Sequence, residues 1–408
     1  MSRWGGYREL LGNRRFLLYE ASATAASVGY SVYAVSVPWL ALDLSGGLLL
    51  VGLVLLAEYG AYTLTFLVAP WVDRARNKRT VFLACYPAQA LAAAAIGWGL
   101  VDHRLGPGLL LVLVAGISFL WDFAWAAYNV VPRLLLSQDQ LFRAQGLGGI
   151  FGGATQLGGF AGGAALVVLV GPAGGMWLYA ALLAGGTAIA ATVSLPSAGP
   201  APARPSYRAE FLAGWRHFAR RAERSLLPLG ASELLRGFFV AAPALLITLV
   251  AARSLGGSAA GYGVLFVAFV VGGVAAGVLL GELNPRRTVG ALLPVAAAVE
   301  GVALLGAVAF AARVLPAALL WAVVGAAGTV YLTSAYTFLY GAFPPGELAR
   351  ISANLYLFTG LASSAGAFLL GELASAGSAW LLGGVVGVGY LALAALVASV
   401  PSIRRLAF

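Results

Sequence analysis

The chain is divided into apolar runs of about twenty residues or more that hold few charges, and this limits its fold more than any other feature. A helix crossing about 30 Å of hydrocarbon needs roughly 20 predominantly apolar residues. Runs of that kind cover 16–42, 48–71, 80–101, 106–130, 145–169, 173–195, 226–252, 259–283, 288–312, 314–342, 350–375 and 377–400. They predict an all-α integral membrane protein of twelve transmembrane helices. Connections beside the sixth run and around Arg313 are very short. Of all residues 61% are hydrophobic and 10% charged, against roughly 25% charged in a soluble domain. A soluble fold still needs polar cover for its surface, so lipid is the solvent this composition suits. The 54 glycines suit helices that approach closely in a membrane. The first run follows Arg14 and Arg15, as a signal peptide would, but is too long for a signal core and reads as the first span.

Charge placement orients the spans. With both termini in the cytoplasm, the inner connections carry Arg3, Arg8, Arg14 and Arg15, then Arg74, Arg76, Lys78 and Arg79, then Arg133 and Arg143. The central connection adds six arginines between Arg204 and Arg224, and the later inner ones add Arg286, Arg287, Arg350, Arg404 and Arg405. Arg104, Arg253 and Arg313 fall outside, and Arg236 lies within a span. This is the positive-inside pattern, and it implies a multi-pass protein of the plasma membrane. The net charge of +10 is spread through these connections rather than gathered into a nucleic-acid patch. Cys85 sits alone in an apolar run, and His103 and His217 have no metal-ligand spacing, so no disulfide, metal or cofactor is expected. The only lysine, Lys78, follows Asn77, which leaves no phosphate-binding Gly-Lys-Ser/Thr. Neither an enzyme nor an ATP-driven pump is expected.

Residues 196–225 separate two halves, 1–195 and 226–408. They open with Pro196, Pro200, Pro202 and Pro205, and then place Phe211, Trp215 and Phe218 opposite Arg216, Arg220 and Arg224. That pattern suits a cytoplasmic helix lying at the interface. The halves echo one another. Arg143, Gly153 and Gly159 recur as Arg350, Gly360 and Gly366, each 207 residues later, and Gly46-Gly47 recurs as Gly256-Gly257. A parallel repeat of two six-helix bundles is a known transporter plan.

The loop Ala69-Pro70-Trp71-Val72-Asp73-Arg74-Ala75-Arg76-Asn77-Lys78-Arg79 resembles the signature of the major facilitator superfamily. Asp73, Arg74 and Lys78 match it, and Ala69 stands where the signature opens with glycine. Three stretches look like the drug, macrolide and siderophore exporters of that superfamily: Val131 to Arg143, Glu210 to Leu227 and Pro344 to Gly371. An antiporter-like motif in the fifth span would have a proline where Gly159-Phe160-Ala161-Gly162-Gly163 has Phe160. The resemblance implies two pseudo-symmetric six-helix bundles. It implies alternating-access efflux of an amphipathic organic compound driven by protons, with a monomer in the bilayer as the working unit. It also implies a conformational latch at Asp73, Arg74 and Lys78. Uptake of a small organic nutrient by a proton symporter shares this fold, and a non-transporting membrane sensor would need no acid in the cavity.

An ionisable side chain near the bilayer centre costs at least about 2.5–3.5 kcal/mol on insertion scales, so each one calls for a reason. Glu58 falls near the middle of the second span, with Tyr62 and Thr65 on its face. Asp122 in the fourth span shares a stripe with Ser118, Trp125 and Asn129. The resemblance makes the first, fourth, seventh and tenth spans cavity-lining. Asp122 and Glu58 are therefore the proton-coupling candidates, and Tyr33, Trp125, Asn129, Arg236, Thr333 and Tyr336 the substrate-cavity candidates. Glu233 and Arg236 are spaced as a helical pair, either a neutralised structural pair or a functional one. Arg236 alternatively holds an anionic substrate or pairs with Asp122. Glu300 lies in the ninth span and reads as protein-facing.

Overall fold

The computed structural model describes residues 12–64, 72, 77–195, 226–283, 289–342 and 345–400, and the regular elements among them are all helical. In chain order they are α1 (Arg14–Ser45), α2 (Leu48–Thr63), α3 (Lys78–Val101), α4 (Pro107–Tyr128), the single turn α5 (Pro132–Leu135) and α6 (Gln138–Thr192). They continue as α7 (Leu226–Phe239), α8 (Ala242–Arg253), α9 (Ala259–Leu283), α10 (Val289–Ala309), α11 (Val314–Ala342), α12 (Pro345–Ala376) and α13 (Ala379–Ser399).

Two of these boundaries have local chemical causes. At 55 residues α6 is too long for one crossing, since a helix rises about 1.5 Å per residue. It is divided at Gly171, whose φ of 76° lies in the left-handed region, directly before Pro172. Glycine tolerates that φ, and the residue before a proline is pushed out of the helical region. This turn is the whole connection between the fifth and sixth expected spans. Between α7 and α8 the interruption is milder. Pro243 has no N–H to offer the Phe239 carbonyl, and the chain takes a tighter bond from Val240 N–H to Gly237 O, 3.1 Å. Among the described residues ten helices are long and apolar enough to cross a membrane, with α7 joined to α8, and α2 is a shorter apolar one; division of α6 at Gly171 brings the apolar segments to twelve.

Contacts gather the helices into two compact units. Unit 1 holds α1 up to Leu40 with α3 to α6, and unit 2 holds the end of α1 from Ala41 with α2 and α7 to α13. α2 packs along α12, where a methyl group added at Gly52 would lie 2.6 Å from the Gly371 Cα. The α9–α11 seam is tighter. A Cβ at Gly272 would run into the Ala322 carbonyl, and one at Gly325 into the Phe269 carbonyl. Apolar side chains gain nothing by leaving lipid for one another, so helices associate where missing side chains let their backbones touch.

The repeated glycines do matching work in the two halves of the sequence. Gly159 of α6 meets α1, where an added Cβ would lie 2.6 Å from Ser31 Cβ and 2.8 Å from the Val28 carbonyl. Its counterpart Gly366 of α12 meets the Phe238 carbonyl of α7. Gly46 and Gly256 likewise both turn the chain at positive φ, 63° and 66°. Outward faces carry large apolar side chains, among them Leu91, Leu169 and Leu315, as a lipid-facing surface requires. Hydroxyls inside the helices are satisfied locally. Ser36, Thr63, Thr187, Thr248 and Ser364 each donate to the carbonyl one turn back. Two arginines close helix ends. Arg79 donates to the Ala191 carbonyl at the end of α6, and Arg253 to Gly377 and Ser375 at the end of α12. Asp73, Arg74 and the expected interfacial helix within 196–225 lie outside the described residues.

The α9–α11 seam gives a direct test. Gly272→Ala forces the two backbones apart and should cost about 1–3 kcal/mol, the usual range for overpacking. Gly116, with nothing within 4 Å of an added Cβ, should accept the same change without effect. Melting temperatures of the two purified variants in detergent check this.

Candidate functional site

Unit 1 carries a row of stacked rings. Trp121, Trp125 and Tyr128 share one face of α4 at helical spacing. Tyr30 of α1 stacks on Trp121 with centroids 4.2 Å apart and planes 13° from parallel. Trp125 follows Trp121 at 6.2 Å, Tyr128 follows Trp125 at 5.2 Å, and Tyr19 of α1 closes on Tyr128 at 5.3 Å. Each such pair adds about 0.5–1.5 kcal/mol beyond its buried area, so the row fastens α1 to α4. Polar tips hold the register. Tyr19 Oη donates to the Tyr128 carbonyl at 2.7 Å, and Tyr128 Oη donates to Glu20 at 3.2 Å.

The sequence candidates of unit 1 take different places around this row. Asp122 follows Trp121 and is buried, and Ser118, one turn earlier, is buried with its Oγ lacking a hydrogen-bond partner among the described residues. Trp125 is 47% exposed. Asn129 is exposed and donates its amide to the Trp125 carbonyl at 2.9 Å. Tyr33 is fully enclosed between Tyr30 and Tyr179, at 5.5 and 5.2 Å. Lys78 is buried and donates to the Val72 carbonyl, beside the latch positions Asp73 and Arg74 that fall outside the described residues.

Unit 2 gathers charges that are distant in sequence. Glu233 and Arg236 lie on α7, Arg236 in its last turn, where the negative end of the helix favours a cation. The Arg236 guanidinium carbon stands 5.3 Å from the ring centre of Tyr331, on α11. Glu300 of α10 lies against the α11 backbone, where a Cβ at Gly328 would sit 3.4 Å from its Oε1. Tyr390 of α13 is within electrostatic reach of the Glu300 carboxylate. Arg236 is within electrostatic reach of Glu233, Glu300, Tyr331 and Tyr390. Both carboxylates are buried, and Glu233 Oε1, Glu300 Oε2 and Arg236 Nε lack hydrogen-bond partners among the described residues.

The other candidates of unit 2 lie on α2 and α11. Glu58 is half-buried on α2, and its neighbour Tyr59 is within electrostatic reach of Arg236. On α11, Thr333 is exposed and Tyr336 half-buried, just beyond Tyr331. Sequence reasoning paired Glu233 with Arg236 on one helix but did not bring Glu300 to them, and it passed over Trp121, Tyr331 and Tyr390. A polar residue in the middle of each of four spans was the available signal for unit 2.

No family model matches the chain, and no curated protein is significantly similar to it in sequence. Solved structures are similar to it along nearly its whole length. A D-xylose-proton symporter matches with a TM-score of 0.74 at 10% identity, covering 96% of this chain and 99% of that one. The nucleoside transporter NupG matches at 0.70 and 12%, covering 95% and 98%. A bacterial homologue of the human lysosomal transporter Spinster, inward-facing and occupied, matches at 0.68 and 15%, covering 96% and 95%. The chain has the major facilitator fold. Identities this low carry the fold and leave the site to be argued from this chain's own residues.

Removing one member of a buried charge group strands the others, at a cost of about 3–5 kcal/mol. Arg236→Met should therefore lower the yield and melting temperature of the purified protein. Adding Glu233→Gln and Glu300→Gln to that variant should recover most of the loss.

Proposed function

We propose that the chain is a secondary transporter that moves a small amphipathic organic molecule across the plasma membrane, driven by protons and working by alternating access. The observation that carries this reading is Asp122, a carboxylic side chain buried on an apolar membrane helix beside a half-exposed row of aromatic rings. An acid held at that depth at a cost of several kcal/mol is a functional group by default. Its charge can be gained and lost without redox chemistry or a bound nucleotide. The exposed side of Trp125 suits an organic cargo with aromatic or apolar surface better than a hydrated ion.

In this mechanism protonation and cargo binding each favour one of two conformations through their differential affinities, which makes the proton gradient do work on the cargo. Asp122 carries the coupling proton, with Glu58 as the second candidate. Trp125 and Asn129 are the cargo-contact candidates of unit 1, and Arg236, Thr333 and Tyr336 are those of unit 2. Asp73, Arg74 and Lys78 latch one state, and both termini face the cytoplasm. Export is the direction that the resemblance of the connecting segments supports. Uptake by proton symport is the second reading, supported by Phe160 at the place of an antiporter proline and by the D-xylose-proton symporter among the similar structures.

The test is transport in proteoliposomes under an imposed pH gradient, with dyes, macrolides, siderophores, nucleosides and sugars as cargo. Asp122→Asn should abolish gradient-driven movement while exchange of cargo down its own gradient persists. Trp125→Ala should weaken apparent cargo affinity by roughly tenfold, the loss of about 1.4 kcal/mol of stacking. Full gradient-driven transport by Asp122→Asn would overturn the assignment of the proton to this residue. A gradient that moves none of these cargos would overturn the transporter reading.

A further inference from the structure

Glu20 lies in α1 past its first turn and is half-buried. Its carboxylate accepts a hydrogen bond from Tyr128 Oη, which stands 3.2 Å from one oxygen and 3.4 Å from the other. A carboxylate offers about four acceptor sites, so one phenol leaves most of them open. Among the described residues Glu20 forms no ion pair. An acid held in an apolar helix without a countercharge calls for one from elsewhere.

The tyrosine that holds Glu20 also leads to an opening. Leu110, Val114, Ile117, Trp121, Trp125 and Tyr128 recur at three- and four-residue spacing, which puts them on one side of α4. The first three are fully buried, so this side is turned into the protein. Val112, two residues after Leu110 and hence on the opposite side, is 69% exposed, as a lipid-facing residue should be. Trp125 is therefore exposed on the packed side of the helix and not toward lipid. The Tyr128 ring stacks on it at 5.2 Å. Tyr19 fixes Tyr128 in turn, by a second stack and by a bond to its carbonyl. One tyrosine thus joins a carboxylate without an ion pair to an open aromatic surface.

We propose that Glu20, Tyr128 and Trp125 form a binding site in unit 1 for an amphipathic organic cation. The cationic head pairs with the Glu20 carboxylate, which Tyr128 holds in place, and the apolar body lies along the open side of Trp125. The two parts divide the work. The carboxylate reads charge, because an ion pair away from bulk water strengthens as the local dielectric falls. The indole reads apolar surface whatever the charge. An anion of the same shape is repelled by the carboxylate, and a neutral molecule gains only the apolar contact. That the bound cation is the transported cargo rests on the transport reading, but its binding does not.

The test is equilibrium binding of tetraphenylphosphonium to the full-length purified protein in detergent, with uncharged triphenylphosphine oxide for comparison. The cation should bind the more tightly. Glu20→Gln should weaken its binding by about tenfold or more and erase the difference between the probes. Trp125→Ala should weaken both probes alike. In the unsubstituted protein, bound tetraphenylphosphonium should protect Glu20 from modification by a hydrophobic carbodiimide, read by peptide mass spectrometry. That measurement tests the site even where a variant folds poorly. Equal affinity for the two probes, a preference that survives Glu20→Gln, or modification of Glu20 that the cation leaves unchanged would overturn the proposal. Preferential cation binding by a protein that moves no cargo under a pH gradient would keep the site and remove the transport reading. Gradient-driven movement of cargo by a protein without that preference would do the reverse.

Discussion

In hydrocarbon a backbone N–H or C=O has no water to turn to, so the chain must satisfy these groups within each crossing segment. Helix formation follows from that constraint, and so does the economy of polar side chains. Hydroxyls such as those of Ser36, Thr63 and Thr248 turn back onto their own helix. Breaks occur where the backbone pattern is already lost. Pro243 cannot donate, and Gly171 with Pro172 turns the chain between two spans without a loop. Once helices are obligatory, backbone approach becomes the main way of holding them together. Gly272 with Gly325, and Gly52 with Gly371, show how closely these helices come.

The same constraint concentrates charge. A lone ionised group inside a bundle is costly, so buried ionisable residues gather where they can offset one another. Arg236 sits in the last turn of α7, against the helix end that favours a cation, and draws carboxylates from α7 and α10. In unit 1 the buried acid has another setting. Asp122 lies beside aromatic rings, with Trp125 half-exposed along the same helix. The buried acids thus lie in both units, Asp122 on α4 in unit 1 and Glu233 and Glu300 in unit 2.

Much of the architecture is legible in one dimension because hydrophobicity along a span is a local property. The twelve runs correspond to helical segments, including the pair divided at Gly171, where there are no loop residues to see. The glycine repeats were legible for a related reason. Gly159 and Gly366 recur because each is where a helix crosses its neighbour, and Gly46 and Gly256 recur because each turns the chain at positive φ. What the sequence does not carry is lateral neighbourhood. The packing of α2 along α12, and the meeting of Glu300 with Arg236 and Tyr390, depend on which helices lie side by side. No periodicity within a span records that choice. The stripe through Asp122 and Trp125 was visible, yet Trp121 stands one residue off it and stacks on Tyr30 of another helix.

These two kinds of information also differ in how they respond to substitution. A span survives many apolar exchanges because lipid accepts almost any of them, and this is one way a fold can persist at 10% identity to a D-xylose-proton symporter. The lateral contacts are far less tolerant. A methyl group at Gly272 meets a carbonyl, and the loss of Arg236 strands two acids. Chemistry specific to this chain is therefore to be sought where its packing has little freedom and its charges are buried. Glu233 on α7 and Glu300 on α10, both buried, meet both conditions.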